Sequence, residues 1–359
     1  MTAQNTGLAA AAEKVRLIAA EHAAEADATR KLAPEVVEAL RDAGFARHFV
    51  AAERGGADGT FAELTEAVFT VGQGCASTSW CASLSALSSR FAGLLPKEGH
   101  DEIWANGPDA FVVTGQPPMG KGTVVDGGHR LSGRWLYVSG VDFADWALLC
   151  GMVGEEGRFF AVPRKDFTVL ETWDSVGMKA TSSHSVVVDD VFVPAHLSFD
   201  RADLLKGTSW SPVPSHNVPF QAVGGLTFVA PAVGAAMGAL EACIAVLSGK
   251  KQSVMNAVDL VRASGQVESA RLLVEQNAAV LDDREFTPAA MARNERNVAY
   301  VAEVLVDAVG GLVRAAGTSG LAEGGALQRF WRDVVSCSSH VALRYETASV
   351  RTYPASVLH

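Results

Sequence analysis

Cysteine is scarce and unpatterned in this chain: five among 359 residues, at positions 75, 81, 150, 243 and 337. An odd, scattered set without C-x-x-C spacing suggests neither a disulfide frame nor a zinc site, and a reducing compartment is expected. Positive charge is also short. Lys and Arg number 30 against 40 Asp and Glu, for a formal net charge of −10. Without a dense basic stripe to neutralise phosphates, no nucleic-acid partner is expected; Lys250 and Lys251 form an isolated pair. No G-x-G-x-x-G follows any predicted strand, so a conventional nicotinamide-binding unit is lacking. No cluster of metal ligands is evident, and no internal repeat. The longest apolar stretch, residues 224–247, is cut by Pro231 and Glu241 into pieces shorter than the ~20 residues a bilayer requires. The expectation is a buried bundle helix starting near Pro231, with Gly234, Ala235 and Gly238 letting a neighbouring helix approach. The beginning of the chain, with Thr2, Gln4 and Asn5 before an Ala-rich stretch bearing Glu13, Lys14 and Arg16, lacks the apolar core of a signal peptide. A cytoplasmic protein with no membrane partner is expected.

What is present is the composition of a soluble globular protein, 48% apolar and 19% charged, long enough for two or three packed units. Periodicity divides it into residues 1–108, 109–206 and 207–359. The first is helical: Pro34 opens a helix that Gly44 ends, and another starts near Thr60. The middle alternates, with strands expected at 111–114, 134–138, 146–152, 159–162 and 185–193 and a hairpin at Asp126-Gly127-Gly128. The last returns to helices, with stripes such as Val301, Val304, Leu305, Ala308, Val309 and Leu312. The fold class is therefore α+β, helix then β then helix.

Residues 328–342, Q-R-F-W-R-D-V-V-S-C-S-S-H-V-A, carry the best candidate for chemistry. On a continuous helix Asp333 and His340 lie within roughly 20° of one face, with Arg332 near its edge. A histidine there can exchange a proton with a ligand near neutral pH. The plainer reading is a hydrogen-bonded core histidine.

Five words in this order resemble the acyl-CoA dehydrogenase superfamily: L-A-P-E-V-V-E-A-L-R-D-A-G-F at 32–45, E-R-G-G at 53–56, C-A-S-T-S-W at 75–80, G-R-W-L-Y-V-S-G at 133–140 and W-D-S-V-G-M-K-A-T-S-S at 173–183. The resemblance implies an N-terminal helical domain, a middle β-barrel and a C-terminal four-helix bundle around a flavin. It also implies a homotetramer, since flavin sites of this fold lie between subunits. Departures locate the branch. Where dehydrogenases carry a T-E-x-x-x-G-S-D-like word, this chain reads T-G-Q-P-P-M-G-K-G at 114–122. Tyr345-Glu346-Thr347 resembles the word that carries the dehydrogenase carboxylate, but it is misplaced relative to Asp333, and His340 occupies the catalytic stretch. That pattern resembles the flavin-dependent monooxygenases of this fold, such as two-component phenol hydroxylases, dibenzothiophene monooxygenase and amine N-hydroxylases.

The implied function is hydroxylation of a small organic substrate, aromatic or amine, by reduced flavin (FADH2 or FMNH2) and O2 through a C4a-hydroperoxyflavin, in an oxygenase component served by a separate flavin reductase. A place in secondary metabolism fits. The resemblance places Ser139 beside the flavin N5 and His340 near its reactive edge. Tyr137, Val138, Thr181, Ser182 and Ser183 would line the flavin through backbone and hydroxyl donors, and Arg329 would reach a flavin phosphate. Trp80, Ser88 and His340 would face substrate. Ser88 stands where phenol hydroxylases of this type often have a histidine that stabilises a phenolate. His184, just after the flavin loop, reads as an exposed turn residue; Trp135 is a candidate second pocket wall, a core tryptophan being the plainer reading. Two competing readings are an acyl-CoA dehydrogenase using Glu346 and a non-catalytic flavin-fold binding protein.

Overall fold

The computed structural model of the protein describes residues 7–248, 254–350 and 352–358; Lys250, Lys251 and the first residues of the chain lie outside them. Helices come first: α1 (Leu8–Thr29), α2 (Pro34–Ala43), α3 (Phe61–Gly74), α4 (Ala76–Ala92) and α5 (Lys97–Ile103). Local chemistry sets their ends. Pro34 opens α2 with its fixed φ, and Gly44 closes it at φ +85°, a left-handed conformation that costs glycine little. Thr60 caps α3 in a reciprocal box with Glu63, each side chain meeting the other's backbone N–H.

The strands follow: β1 (Val112–Val125), β2 (Gly128–Val138), β3 (Trp146–Val153), β4 (Glu156–Pro163), β5 (Thr168–Leu170), β6 (His184–Pro194) and β7 (Ser198–Asp200). They make one seven-stranded sheet in the order β5-β6-β2-β1-β3-β4-β7, with the expected hairpin turning at Asp126-Gly127 between β1 and β2. Two differences from the sequence reading stand out. Strand β1 runs through Pro117 and Pro118, and the proline pair falls where its pairing with β3 shifts register between Gly115 and Gly120; proline lacks the ladder N–H, so it fits only at such an irregularity. The three-residue strands β5 and β7 are too short to show alternation.

The sheet rolls around one ring. Trp135 on β2 is fully buried and its indole N–H donates across β1 to the Cys150 carbonyl of β3 at 2.7 Å. The ring passes over β1 because Gly115 and Gly120 have no side chains; a Cβ on Gly120 would stand 2.3 Å from it. Trp135 is thus core of the sheet, the plainer of the two readings that the sequence allowed.

The chain then returns to helices: α6 (Arg201–Lys206), α7 (Phe220–Val223), α8 (Leu226–Leu247), α9 (Val254–Asp282), α10 (Pro288–Ala316), α11 (Ala326–Ser338), α12 (Tyr345–Ala348) and α13 (Thr352–Val357). Helix α8 starts ahead of Pro231 rather than at it. The proline has no N–H for the Thr227 carbonyl one turn back, and the Ser83 hydroxyl of α4 donates to that carbonyl at 2.7 Å instead. Helix α8 crosses α3 closely because both are small there: a Cβ on Gly234 would meet the Phe69 carbonyl oxygen at 2.5 Å and the Gly72 Cα at 2.9 Å. The Phe220–Leu247 stretch is apolar and long enough to cross a bilayer, yet most of its apolar window is buried in the protein.

Candidate active site

A cavity of about 760 Å3 opens between α4, β1, the end of β2, the 173–183 loop, the start of α8 and the segment after α11. Its wall is mainly apolar. Trp80, Ser88, Tyr137, Ser139, Thr181, Ser183 and His340 all line it, so candidates from four separate stretches of sequence converge on one space.

His340 does not sit where helical spacing put it. Helix α11 ends at Ser338, and His340 has extended backbone at φ −61°, ψ 139°, capping a short turn over 341–343. Its Nδ1 accepts the Ala342 N–H at 3.2 Å. A backbone N–H can only donate, so the ring proton belongs on Nε2. The imidazole stacks on Phe228, ring centroids 4.0 Å apart at 20°, and meets the Trp80 ring edge-on at 5.7 Å. Burial in this aromatic slot pushes its pKa down to about 4. It is therefore a neutral donor at neutral pH, not the proton exchanger that an ordinary histidine would be.

Asp333 parts company with it. It is buried on α11, and its carboxylate accepts the Met178 N–H at 2.5 Å. Burial raises its pKa to about 6, against the lowering effect of that N–H. Its work is to hold the 173–183 loop, where Met178 and Ser182 have φ of +53° and +48°, conformations that persist in non-glycine residues only when neighbours fix them. Arg332 turns away to Asp27 on α1, with N–O distances of 3.0 Å.

The serine site is a chain of hydroxyls. The Trp80 indole N–H donates to Ser139 Oγ at 3.0 Å. Ser139 Oγ lies 2.8 Å from Ser183 Oγ, Ser183 Oγ lies 2.7 Å from Thr181 Oγ1, and Thr181 Oγ1 donates to the Met178 carbonyl at 3.0 Å. Ser182 spends its hydroxyl on Asp142 at 2.9 Å. The hydroxyls of Thr181, Ser182 and Ser183, expected as donors along the flavin, are thus each engaged with a partner inside the protein. Tyr137 reaches the cavity from a left-handed backbone, φ +59°, and packs edge-on against Trp173. Val138 is buried beside it, paired with His184, and does not line the cavity. Ser88 is buried and accepts the Thr114 hydroxyl at 2.8 Å. Arg329, half-buried on α11, is not among the lining residues, and Glu346 is exposed on α12, outside the wall.

His184 is not an exposed turn residue. It is buried, and its Nδ1 accepts the backbone N–H groups of Thr172 and Trp173 at 3.1 and 3.2 Å, which anchors the start of the loop. Sequence reasoning also missed Glu295 on α10. This carboxylate lines the cavity, accepts from Thr352 at 2.6 Å and Gln221 at 3.3 Å, and has its pKa raised by burial; nothing in its sequence neighbourhood separates it from other helical glutamates. Two thiols complete the wall. Cys81 donates to the Thr181 carbonyl and Cys337 to the Phe228 carbonyl, and burial pushes both pKa values far up.

Comparison with known proteins agrees with this geometry. The acyl-CoA dehydrogenase N-terminal domain matches residues 4–103 and the acyl-CoA dehydrogenase C-terminal domain residues 226–345. The chain is 31% identical over 354 residues to the flavin-dependent monooxygenase oxygenase subunit HsaA of Rhodococcus jostii, covering 92% of this chain and 93% of the relative. The crystal structure of 3-HSA hydroxylase from Rhodococcus sp. RHA1 superposes with a TM-score of 0.91 at 27% identity, covering 98% of this chain and 97% of that one. XiaF from Streptomyces sp., in complex with FADH2 and glycerol, superposes with a TM-score of 0.90 at 26% identity, covering 97% and 94%. The chain belongs to the acyl-CoA dehydrogenase superfamily, in its branch of flavin-dependent monooxygenases.

Proposed function

We propose that this protein is the oxygenase component of a two-component system, hydroxylating a small aromatic or amine substrate with reduced flavin and O2, and that Ser139 and His340 are its catalytic pair. The carrying observation is that Trp80 ties the two together, donating to Ser139 at 3.0 Å while its ring meets His340 at 5.7 Å, although they are 201 positions apart in sequence. The cavity fits a flavin ring by its volume and its apolar walls, with the Ser139 lone pair and the His340 Nε2–H as polar partners. Bound reduced flavin would supply the oxygen chemistry. The chain's own residues would do the rest. Ser139 has a lone pair to accept the flavin N5–H. His340 would offer its Nε2–H to an oxygen atom bound in the cavity, and the Phe228–Trp80 slot would limit the access of water to it. Tyr137, Thr181 and Ser183 form the wall on the flavin side. Arg329, on the α11 surface, is assigned to the flavin phosphate.

Ser88, Trp80 and Glu295 face the substrate in this reading. Among the described residues lining the cavity none is Lys or Arg, and Glu295 is acidic. An anionic substrate would be repelled, so a neutral or cationic ring is favoured. Electrons would come from a separate flavin reductase. Assembly as a homotetramer, and a cytoplasmic location, belong to the same proposal; the exposed Val254, Met255, Val258 and Val261 along one side of α9 are an apolar face suited to a second copy.

The test is anaerobic loading with reduced FAD, and separately reduced FMN, followed by oxygen and a panel of phenols, indoles and aromatic amines. Hydroxylated product formed in step with flavin oxidation supports the assignment and names the cofactor. Bleaching of bound oxidised flavin by acyl thioesters, with no hydroxylation, would replace it with a dehydrogenase.

A further inference from the structure

We infer that the hydroxyl chain behind Ser139 is a one-way relay that makes this site prefer reduced over oxidised flavin, with Thr181 and Ser183 as its positioning residues. The inference rests on the proposal that Ser139 meets the flavin N5. A hydroxyl has one proton to give. At the far end of the chain the Thr181 Oγ1 stands 3.0 Å from a carbonyl oxygen, which only accepts, so Thr181 spends its proton on Met178. It can then only accept from Ser183, 2.7 Å away. Ser183, its proton spent, can only accept from Ser139 at 2.8 Å. At the near end Ser139 already receives the Trp80 N–H at 3.0 Å. Ser139 therefore faces the cavity with one unused lone pair and no proton.

That polarity discriminates between redox states. The N5 of reduced flavin carries a hydrogen, which matches a bare lone pair. The N5 of oxidised flavin is itself an acceptor, so two lone pairs would oppose each other. To donate to it, Ser139 must either abandon Ser183 or turn the whole chain around and take the Thr181 proton off Met178. Either route gives up one neutral hydrogen bond, worth about fivefold in an equilibrium constant. The chain thus favours loading of reduced flavin and release of oxidised flavin without any charged group at N5.

The experiment measures dissociation constants of oxidised FAD and FMN by fluorescence titration and of the reduced forms by anaerobic titration, and reads their ratio. Thr181→Val and Ser183→Ala each free the Ser139 proton. Both should tighten oxidised flavin by about fivefold with little change for the reduced form, while Thr181→Ser restores the original ratio. Trp80→Phe removes a donor without freeing that proton, and should leave oxidised flavin no tighter. If Ser139→Ala alters the ratio but Thr181→Val and Ser183→Ala do not, the relay is wrong and Ser139 still meets N5. If Ser139→Ala leaves both affinities unchanged, the placement of Ser139 itself is wrong, and the inference goes with it.

Discussion

The imidazole of His340 lies parallel to the phenyl ring of Phe228, 4.0 Å between centroids and 20° between planes. With Nδ1 held by the Ala342 N–H, stacking leaves the ring no freedom to present anything but Nε2. Replacing it should separate flavin oxidation from hydroxylation. In His340→Ala we expect at least tenfold less product per flavin oxidised and a matching rise in hydrogen peroxide, on the scale of losing one positioned donor. Wild-type yields in that variant would remove His340 from the site.

Acidity offers a second check on the same residue. Because burial lowers the His340 pKa to about 4 from 6.5, it is already neutral at pH values where an exposed histidine would titrate. The ratio of product to hydrogen peroxide should be flat from about pH 5.5 to 8. A step centred near the ordinary histidine value would show that the slot is open to water.

Asp333 has the opposite shift, to about 6 from 3.8. The folded protein keeps this proton longer than the unfolded chain does. The stabilising contribution is therefore complete below the unfolded value and is lost as pH rises through the folded one. Asp333→Asn keeps an acceptor for Met178 without the ionisation. Its stability should gain on the wild type by an amount on the order of 3 kcal/mol between about pH 4 and pH 7, measurable from denaturant midpoints at both ends. A constant difference would mean that the carboxyl titrates normally.

The Ser83 hydroxyl and Pro231 act as a pair around the Thr227 carbonyl. Ser83→Ala should cost about 1–2 kcal/mol by leaving that buried acceptor unmet. In a Pro231→Ala background the restored N–H serves the same carbonyl, so the serine should matter less. Additive costs in the double variant would deny the coupling.

Gly120→Ala puts a methyl group 2.3 Å from the Trp135 ring. We expect a loss of about 1–3 kcal/mol from overpacking, partly recovered when Trp135 is replaced by Phe. Thermal melting of the two variants decides it, and an unchanged melting temperature in Gly120→Ala would mean that the sheet has slack there.

Much of this architecture is written in local signals. Pro34 and Gly44 bracket a helix, Thr60 and Glu63 start another, and Asp126-Gly127 turns a hairpin, because each depends on backbone preferences within a few residues. The words around Trp80, Ser139 and His340 pointed to one cavity before any distance was known. What stayed hidden depends on contacts across the fold. The end of α11 at Ser338 carries no glycine or proline to announce it, so His340 seemed helical. Burial of His184 follows from two N–H groups on a neighbouring loop, and Glu295 reaches the cavity only through the placing of α10. The direction of the hydroxyl chain follows from interatomic distances that no spacing rule contains.

The two thiols in the cavity wall bear on how long such a protein lasts. A cavity that admits oxygen and leaks hydrogen peroxide would destroy any cysteine able to ionise, since the thiolate is the form that peroxide attacks. Cys81 and Cys337 stand in that wall with their S–H groups turned to carbonyls and their ionisation suppressed by burial. Small, polarisable side chains thereby pack next to the oxidant without the usual chemical cost of a thiol. The same burial holds for Cys75, Cys150 and Cys243. Uncoupled turnover should consume reduced flavin and oxygen while sparing these cysteines.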